Sequence, residues 1–367
     1  MAEKAIRLGG ESTADAIVSA VDSLYPEHIF EDKEFALKHN DDEIAVDTNF
    51  AAQNFWKEAL IRFFNKKSAV LGLILIVVIV LLAVFGPGMN SYTYSGQDLS
   101  QKNFAPRVPG IERLGILDGS EKMSTTTGSK SVNAYVEKGK DDVYYWFGSD
   151  LYGRDIWTRA WEGARVSLII AVAAAIIDMV IGMSYGLISG YFGGRVDMVM
   201  QRFLEVANGI PRLVIVTLLL LVLQPGMVTI IFALMLTEWV GMSRIARAEM
   251  LKLKDQEFVL ASRTLGAGSF FIIFKEVLPN IIGPIITQVM FSIPTAIFTE
   301  AFLSFVGLGI PVPQCSLGSL ISELYNSFTT HPYQIIPPIV VMSLLMLSFN
   351  LVADGLREAL DPKMKSM

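Results

Sequence analysis

Four runs of the chain stay apolar long enough to cross a bilayer: residues 68–85, 166–188, 281–303 and 335–353. A helix rises about 1.5 Å per residue, so an apolar layer of about 30 Å takes about 20 residues. A further stretch, residues 211–242, is divided. Its halves, "RLVIVTLLLLVL" and "MVTIIFALMLTEWVGM", are separated by Gln224, Pro225 and Gly226, and each is short for a full crossing. Two helices here give six crossings in all, whereas one crossing or a re-entrant pair changes the side of everything downstream.

Basic residues decide between these readings, because short loops rich in Lys and Arg stay in the cytoplasm. With two helices the cytoplasmic pieces hold Lys57, Arg62, Lys66 and Lys67, then Arg195, Arg202 and Arg212, then Arg244, Arg247, Lys252, Lys254, Arg263 and Lys275, then Arg357, Lys363 and Lys365. Residues 304–334, without Lys or Arg, fall outside. The pattern predicts an all-α polytopic membrane protein with six transmembrane helices and both termini cytoplasmic. The long outer loop between the first two runs is a weak witness for orientation. Its middle, "LDGSEKMSTTTGSKS", reads as flexible, and "NAYVEKGKDDVYYWFGSD" as a small ordered cap.

Composition agrees: 52% of the 367 residues are hydrophobic and 18% charged, more apolar than an ordinary soluble domain. The net charge of -6 comes from acids near the start, among them Glu27, Glu31, Asp32, Glu34, Asp41, Asp42, Glu43 and Asp47, and no nucleic-acid footprint follows from it. A single cysteine, Cys315, leaves no internal disulfide framework. The first residues lack a basic segment followed by an apolar core, so no cleavable signal peptide is expected and insertion depends on the later spans.

Between the fourth and fifth helices lies "ASRTLGAGSFFIIFKEVLPN", glycine-broken and charged. In "KDQEFVLASRTL" helical spacing puts Phe258, Ala261, Ser262 and Leu265 on one face, and Gly266 suits a helix C-terminus. A second helical piece leads through Lys275 to Leu278 and Pro279, where proline opens the next span. Taken alone, this is either a connecting loop with an interfacial amphipathic helix or a docking element.

The series resembles the cytoplasmic loop of ABC importer permeases, whose pattern is Glu-Ala-Ala, three residues, glycine, then about nine residues to a hydrophobic-proline pair. Here it reads Leu260-Ala261-Ser262, Gly266 and Leu278-Pro279. The chain is similar to the C-type membrane subunit of the oligopeptide/dipeptide permease family also in "FWKEALIRFFNKKSAVLGLILIVVIVLLAVFGP", "FGSDLYGRDIWTRAWEGARVSL", "GYFGGRVDMVMQRFLEVANGIPRL" and "EAFLSFVGLGIPVPQCSLGSLI". These cover most of residues 55–362 in family order.

The resemblance implies an ABC type I importer permease fold in the bacterial cytoplasmic membrane. It implies half of a shared pathway, a homologous B-type permease subunit, two cytoplasmic ATPase subunits that bind ATP and Mg, an extracellular peptide-binding protein and a peptide substrate. It also implies a coupling helix, here Phe258, Ala261, Ser262, Arg263, Leu265 and Gly266, with Lys275 and Pro279 completing the loop. Leu260 departs from the family's glutamate and replaces a polar contact with apolar packing. The implied organisation is an acidic cytoplasmic extension (1–54), an amphipathic lead-in and first helix (55–90), an extracellular loop (91–160), a five-helix core (161–362) carrying the coupling loop (243–280), and a tail (363–367). Nickel or another small solute is an alternative cargo within the same architecture.

Ionisable groups within spans are costly and mark pathways or interhelical hydrogen bonds. Asp178 in the second span has both readings, with the interhelical bond favoured. Glu300 forms a polar stripe with Ser292, Thr295 and Thr299 on the fifth span, suited to lining a pathway or to relieving the Pro294 kink. A proton-coupled secondary transporter using Asp178 or Glu300 is the competing class. Residues 148–154, "GSDLYGR", carry the content of a turn or, less favoured, a cation site. No phosphate loop, zinc-binding histidine pair or nucleophile elbow occurs, so no catalytic, metal or cofactor residue is expected on this chain.

Overall fold

The computed structural model describes residues 55–125 and 128–360. The acidic extension 1–54 and the tail 363–367 lie outside the described residues.

The described residues are mostly helical, and five helices among them are long and apolar enough to cross a membrane. A short helix, α1 (Phe55–Asn65), leads into α2 (Lys67–Phe85). Ala59 and Phe63 of α1 are buried, whereas Trp56, Leu60, Ile61 and Phe64 are exposed. Lys66, at the joint, pairs with Glu358 at 2.8 Å. The outer segment then forms a hairpin, β1 (Ser120–Thr125) against β2 (Gly128–Asn133), in antiparallel register from Ser120 opposite Asn133 to Thr125 opposite Gly128. The polar stretch read as flexible is therefore paired backbone, an arrangement that Thr and Ser tolerate when cross-strand hydrogen bonds are made. Below it Phe104, Tyr135 and Tyr145 make a small aromatic core, tied down by the Tyr135 hydroxyl donating to the Ala105 carbonyl at 2.8 Å.

Next comes α3 (Ile156–Phe192), whose N-terminus is capped by Asp155: Oδ2 accepts from the Thr158 amide at 2.8 Å. Then follow α4 (Gly194–Gly209), α5 (Arg212–Val222), α6 (Met227–Leu253), α7 (Glu257–Thr264), α8 (Ser269–Leu308), α9 (Leu317–Tyr325) and α10 (Pro332–Leu360). A capping box at Ser316 and Ser319 starts α9.

Two boundaries differ from the sequence reading. The first half of the divided run forms only the 11 residues of α5, short of a crossing on its own, and five helices among the described residues reach that length. The second half does not stop at the end of its apolar residues. No proline lies between Trp239 and Leu253, and beyond Gly241 the residues Ala246, Ala248, Glu249, Met250, Leu251 and Lys252 favour a helix, so α6 runs on and carries Arg244, Arg247 and Lys252 beyond the apolar stretch. Of the loop predicted over 243–280, only residues 254–268 lie between the long helices.

The long helices meet through small residues. A Cβ added at Gly72 of α2 would stand 2.8 Å from the Ser348 carbonyl oxygen of α10, and one at Gly355 of α10 would stand 2.3 Å from the Ala69 Cβ. The closest approach is between α3 and α6, where Gly182, Gly186 and Gly190, spaced by four, face Trp239, Ser243 and Met250. A Cβ at Gly186 would lie 2.1 Å from the Ser243 carbonyl oxygen. Four-residue spacing puts the three glycines on one helix face, and their missing side chains let the two backbones approach. This spine was legible as a spacing in the sequence but was not used in the sequence reading.

Three wide π turns interrupt the spans: Asp178–Gly182 in α3, and Ile272–Val277 and Ser304–Leu308 in α8. The first of those in α8 has a visible cause. Pro279 has no amide hydrogen to donate to the Lys275 carbonyl, and just before it the Leu278 amide donates to Ile273, five residues back.

Candidate functional site

At the basic end of α6 the chain turns through Lys254, Asp255 and Gln256 into α7. This eight-residue helix is anchored by one apolar side chain. Val259 is fully buried in a cluster with Leu187 of α3, Met250 of α6 and Ile272, Ile273 and Val277 of α8. Its other apolar groups face outward: Phe258 and Leu260 are 38% and 45% exposed, and Leu265 is 87% exposed. Ala261 is also exposed and Ser262 half-buried. Leu260, which stands where the related pattern has glutamate, therefore enlarges an exposed apolar patch.

The C-terminus of α7 closes as sequence chemistry predicts. Gly266 sits at φ 81°, the left-handed region that costs a side-chain-bearing residue energy. Its amide donates to Arg263 at 3.0 Å, and the Ala267 amide donates to Ser262, five residues back, also at 3.0 Å. This is the closure of a Schellman-type cap. Arg263 lies with its guanidinium 4.8 Å from the ring centre of Tyr191, at the end of α3. Lys275 and Pro279 are exposed on the first turns of α8. The predicted loop residues thus come together on one protruding helix and the start of the next span.

The polar residues of the spans divide. Ser292 donates to Asp178, joining α8 to the π turn of α3 where Asp178 is 2% exposed, which matches the interhelical hydrogen bond favoured from the sequence. Thr295 is exposed and Thr299 half-buried; each hydroxyl donates to the carbonyl one turn back, at 3.0 Å and 2.8 Å. Glu300 does not share a surface with them. It is fully buried, with Oε2 accepting from Ser167 of α3 at 3.0 Å and Oε1 accepting from Ser304 at 2.7 Å. The Ser167 oxygen in turn accepts from the Leu317 amide at 3.1 Å, so Glu300 braces α3, α8 and the start of α9. The stripe fails at this position because a helix turning 100° per residue carries the eighth residue after Ser292 round by about 80°.

A second buried assembly escaped the sequence reading. Arg159, with no exposed surface, donates to Asp150 at 2.8 Å and to Glu323 of α9 at 2.7 Å. Arg154 donates to Asp150 at 2.7 Å and also pairs with Glu323. The four residues close a ring that locks the 148–154 turn onto α9. Within that turn the Asp150 Oδ1 accepts from the Tyr152 and Arg154 amides at 2.8 and 2.9 Å, so the segment is the structural turn favoured from its sequence.

Burial works against the charge of Glu323, but Arg159 and Arg154 outweigh it and hold the carboxyl below its ordinary range. A carboxyl lowered by folding stabilises the fold above its unfolded pKa and loses that contribution as pH falls through the folded one. Moving from neutral pH to well below the ordinary glutamate range is expected to open the outer cap by protonating Glu323. Hydrogen exchange over residues 148–159 and 317–325 checks this. Equal protection at both pH values, or the same loss in Glu323→Gln, would contradict it.

The comparisons with known proteins match this architecture. Residues 182–366 match the family model of the binding-protein-dependent transport system inner membrane component, and residues 54–106 match that of the N-terminal TM domain of oligopeptide transport permease C. The chain belongs to the binding-protein-dependent transport permease family. Among its relatives is the oligopeptide transport system permease protein OppC of Bacillus subtilis, 41% identical over 312 residues, covering 85% of this chain and 91% of the relative. The dipeptide permease protein DppC of the same organism is 38% identical, covering 91% and 94%. DppC of Lactococcus lactis is 41% identical, covering 85% and 92%. The family match begins at the first glycine of the α3 spine and runs through α7 and all of α8. This permease is accordingly a multi-pass membrane protein whose protruding α7 lies within the family's defining segment.

Proposed function

We propose that this permease is one membrane-spanning half of an ATP-driven importer of oligopeptides or dipeptides in a bacterial cytoplasmic membrane. The observation that carries the reading is α7. A helix beyond the basic end of a span, held by Val259 and turning Phe258, Leu260 and Leu265 outward, is suited to receive a groove on another protein. The partner for that surface is a cytoplasmic ATPase subunit, which binds ATP and Mg. The permease itself catalyses no covalent step. A homologous B-type permease supplies the other half of the pathway, a second ATPase pairs with it, and an extracellular binding protein delivers the peptide. The naming of the relatives as oligopeptide and dipeptide permeases supports peptide over nickel as cargo.

In this reading α4 and α5 together make the third of six crossings, which restores cytoplasmic positions for both termini. The basic residues Arg244, Arg247, Lys252, Lys254, Arg263 and Lys275 then share the cytoplasmic side with α1. Ser292, Thr295 and Thr299, with Asp178 behind Ser292, face the pathway, while Glu300 holds the outer ends of α3, α8 and α9 together.

The test is uptake by proteoliposomes containing the complete complex, with labelled peptides of graded length and with nickel. Accumulation of peptide that needs both ATP and the binding protein is the expected result. Nickel uptake without peptide uptake would change the cargo, and uptake driven by a proton gradient alone would overturn the reading.

A further inference from the structure

Behind α7 lies a polar clamp that the docking surface does not include. Arg247 of α6 donates through Nε and Nη2 to the two carboxylate oxygens of Asp197 on α4, both at 2.6 Å. The Asp197 Oδ1 also accepts from the Ser189 hydroxyl of α3 at 2.5 Å, and Gln201 of α4 donates to the same hydroxyl oxygen at 3.1 Å. Two residues after Ser189, Tyr191 receives the guanidinium of Arg263 from α7. Three spans or lead-in helices and the docking helix are thus tied at one level. A bidentate guanidinium–carboxylate pair fixes orientation as well as distance.

The position of the clamp separates it from ordinary packing. The α3 and α6 backbones are already held by the glycine spine, and the Val259 cluster closes beneath it. At the outer end of the spine α3 passes through the π turn Asp178–Gly182, which contains the first of the three glycines, and beyond it the outer half of α3 joins the cluster shared with α2, the outer part of α6, α8 and α10. A push on α7 reaches α3 and α6 through Val259, which packs on Leu187 and Met250, and through Arg263 on Tyr191, and the Asp197–Arg247 clamp ties α6 to α4 and, through Ser189, to α3 at the same level.

We propose that Tyr191, Asp197 and Arg247 are positioning residues for energy coupling, which fasten the docking helix to the α3–α6 pair so that a displacement of α7 moves both spans as one body. This rests on the assignment of α7 as the ATPase-docking helix.

The experiment uses the complete reconstituted complex and reads peptide taken up per ATP hydrolysed. Asp197→Arg and Arg247→Asp are each expected to lower that ratio at least about fivefold, the low end of site-to-site coupling, while the complex still purifies intact. The exchanged pair Asp197→Arg with Arg247→Asp is expected to recover most of it. Tyr191→Leu is expected to lower the ratio and Tyr191→Trp to keep it, because an indole face also accepts a cation. If a charge reversal prevents assembly, Asp197→Asn, which keeps the size of the side chain, carries the same measurement. Wild-type ratios in Asp197→Asn and Tyr191→Leu, or no recovery in an assembled exchange variant, would overturn the proposal. Copurification of ATPase with Phe258→Ser and Leu265→Ser tells the two readings apart. Undiminished ATPase binding there would remove the docking assignment itself, whereas normal binding in the clamp variants with a lowered ratio is the signature of lost coupling.

Discussion

Replacing Gly186 by valine is expected to abolish assembly of this permease. The new Cβ would stand 2.1 Å from the Ser243 carbonyl oxygen, 2.8 Å from the Arg247 amide nitrogen and 2.9 Å from the Ala246 Cβ. Two of these neighbours are backbone atoms inside a helix, so no rotamer change makes room and the helices must separate. Separation would also strain the contacts of Gly182 and Gly190 along the same face. The cost is expected to exceed the roughly 3 kcal/mol at the upper end of ordinary overpacking. The control is Gly241→Ala in the partner helix α6, where a Cβ would meet nothing within 4 Å. That change is expected to be neutral or stabilising by up to about 1 kcal/mol, since alanine is the better helix former. Yield and thermal unfolding of the purified complex measure both. A Gly186→Val complex with normal yield and midpoint would show that α3 and α6 are not held together by this spine.

Such contacts mark the limit of what the sequence discloses. The spans are legible because a membrane imposes length and apolarity on each helix separately. The closure of α7 at Gly266 is legible because the left-handed cap is a local requirement. The three glycines of α3 were visible as a spacing, yet spacing does not name the opposing helix, and Ser243 lies far along the chain. The buried ring is harder still. Asp150, Arg154 and Arg159 sit close together in sequence, but Glu323 is 164 residues from Arg159, and only tertiary structure makes their charges tolerable in the interior. Glu300 shows the same limit from the other side. Its sequence neighbours suggested a pathway stripe, whereas the hydroxyls of Ser167 on α3 and Ser304 in the last π turn of α8 draw it inward. The continuation of α6 beyond its apolar residues has a different origin. Hydropathy reports where the membrane ends, and helix propensity decides where the helix does.

Gly266→Ile is expected to leave insertion and folding of the spans intact and to lower ATP-coupled uptake at least about tenfold. No neighbour lies within 4 Å of the position a Cβ would take, so the substitution creates no clash with the rest of the chain. Its effect comes from the backbone. At φ 81° a β-branched residue is strained by about 1–3 kcal/mol, and a tenfold change in population takes only about 1.4 kcal/mol. The strain is relieved by unwinding the cap, which sacrifices the Ala267 to Ser262 hydrogen bond and frees the end of α7 that carries Leu265. Val259 still anchors the first turn, so the loss is one of orientation rather than of the helix. Gly266→Asn separates conformation from bulk, because asparagine enters the left-handed region far more readily than isoleucine. Uptake in that variant is expected to lie between isoleucine and wild type. Equal impairment by asparagine and isoleucine would assign the effect to side-chain size at the ATPase surface. Normal coupled hydrolysis in Gly266→Ile would remove α7 as the route by which the ATPase moves this permease.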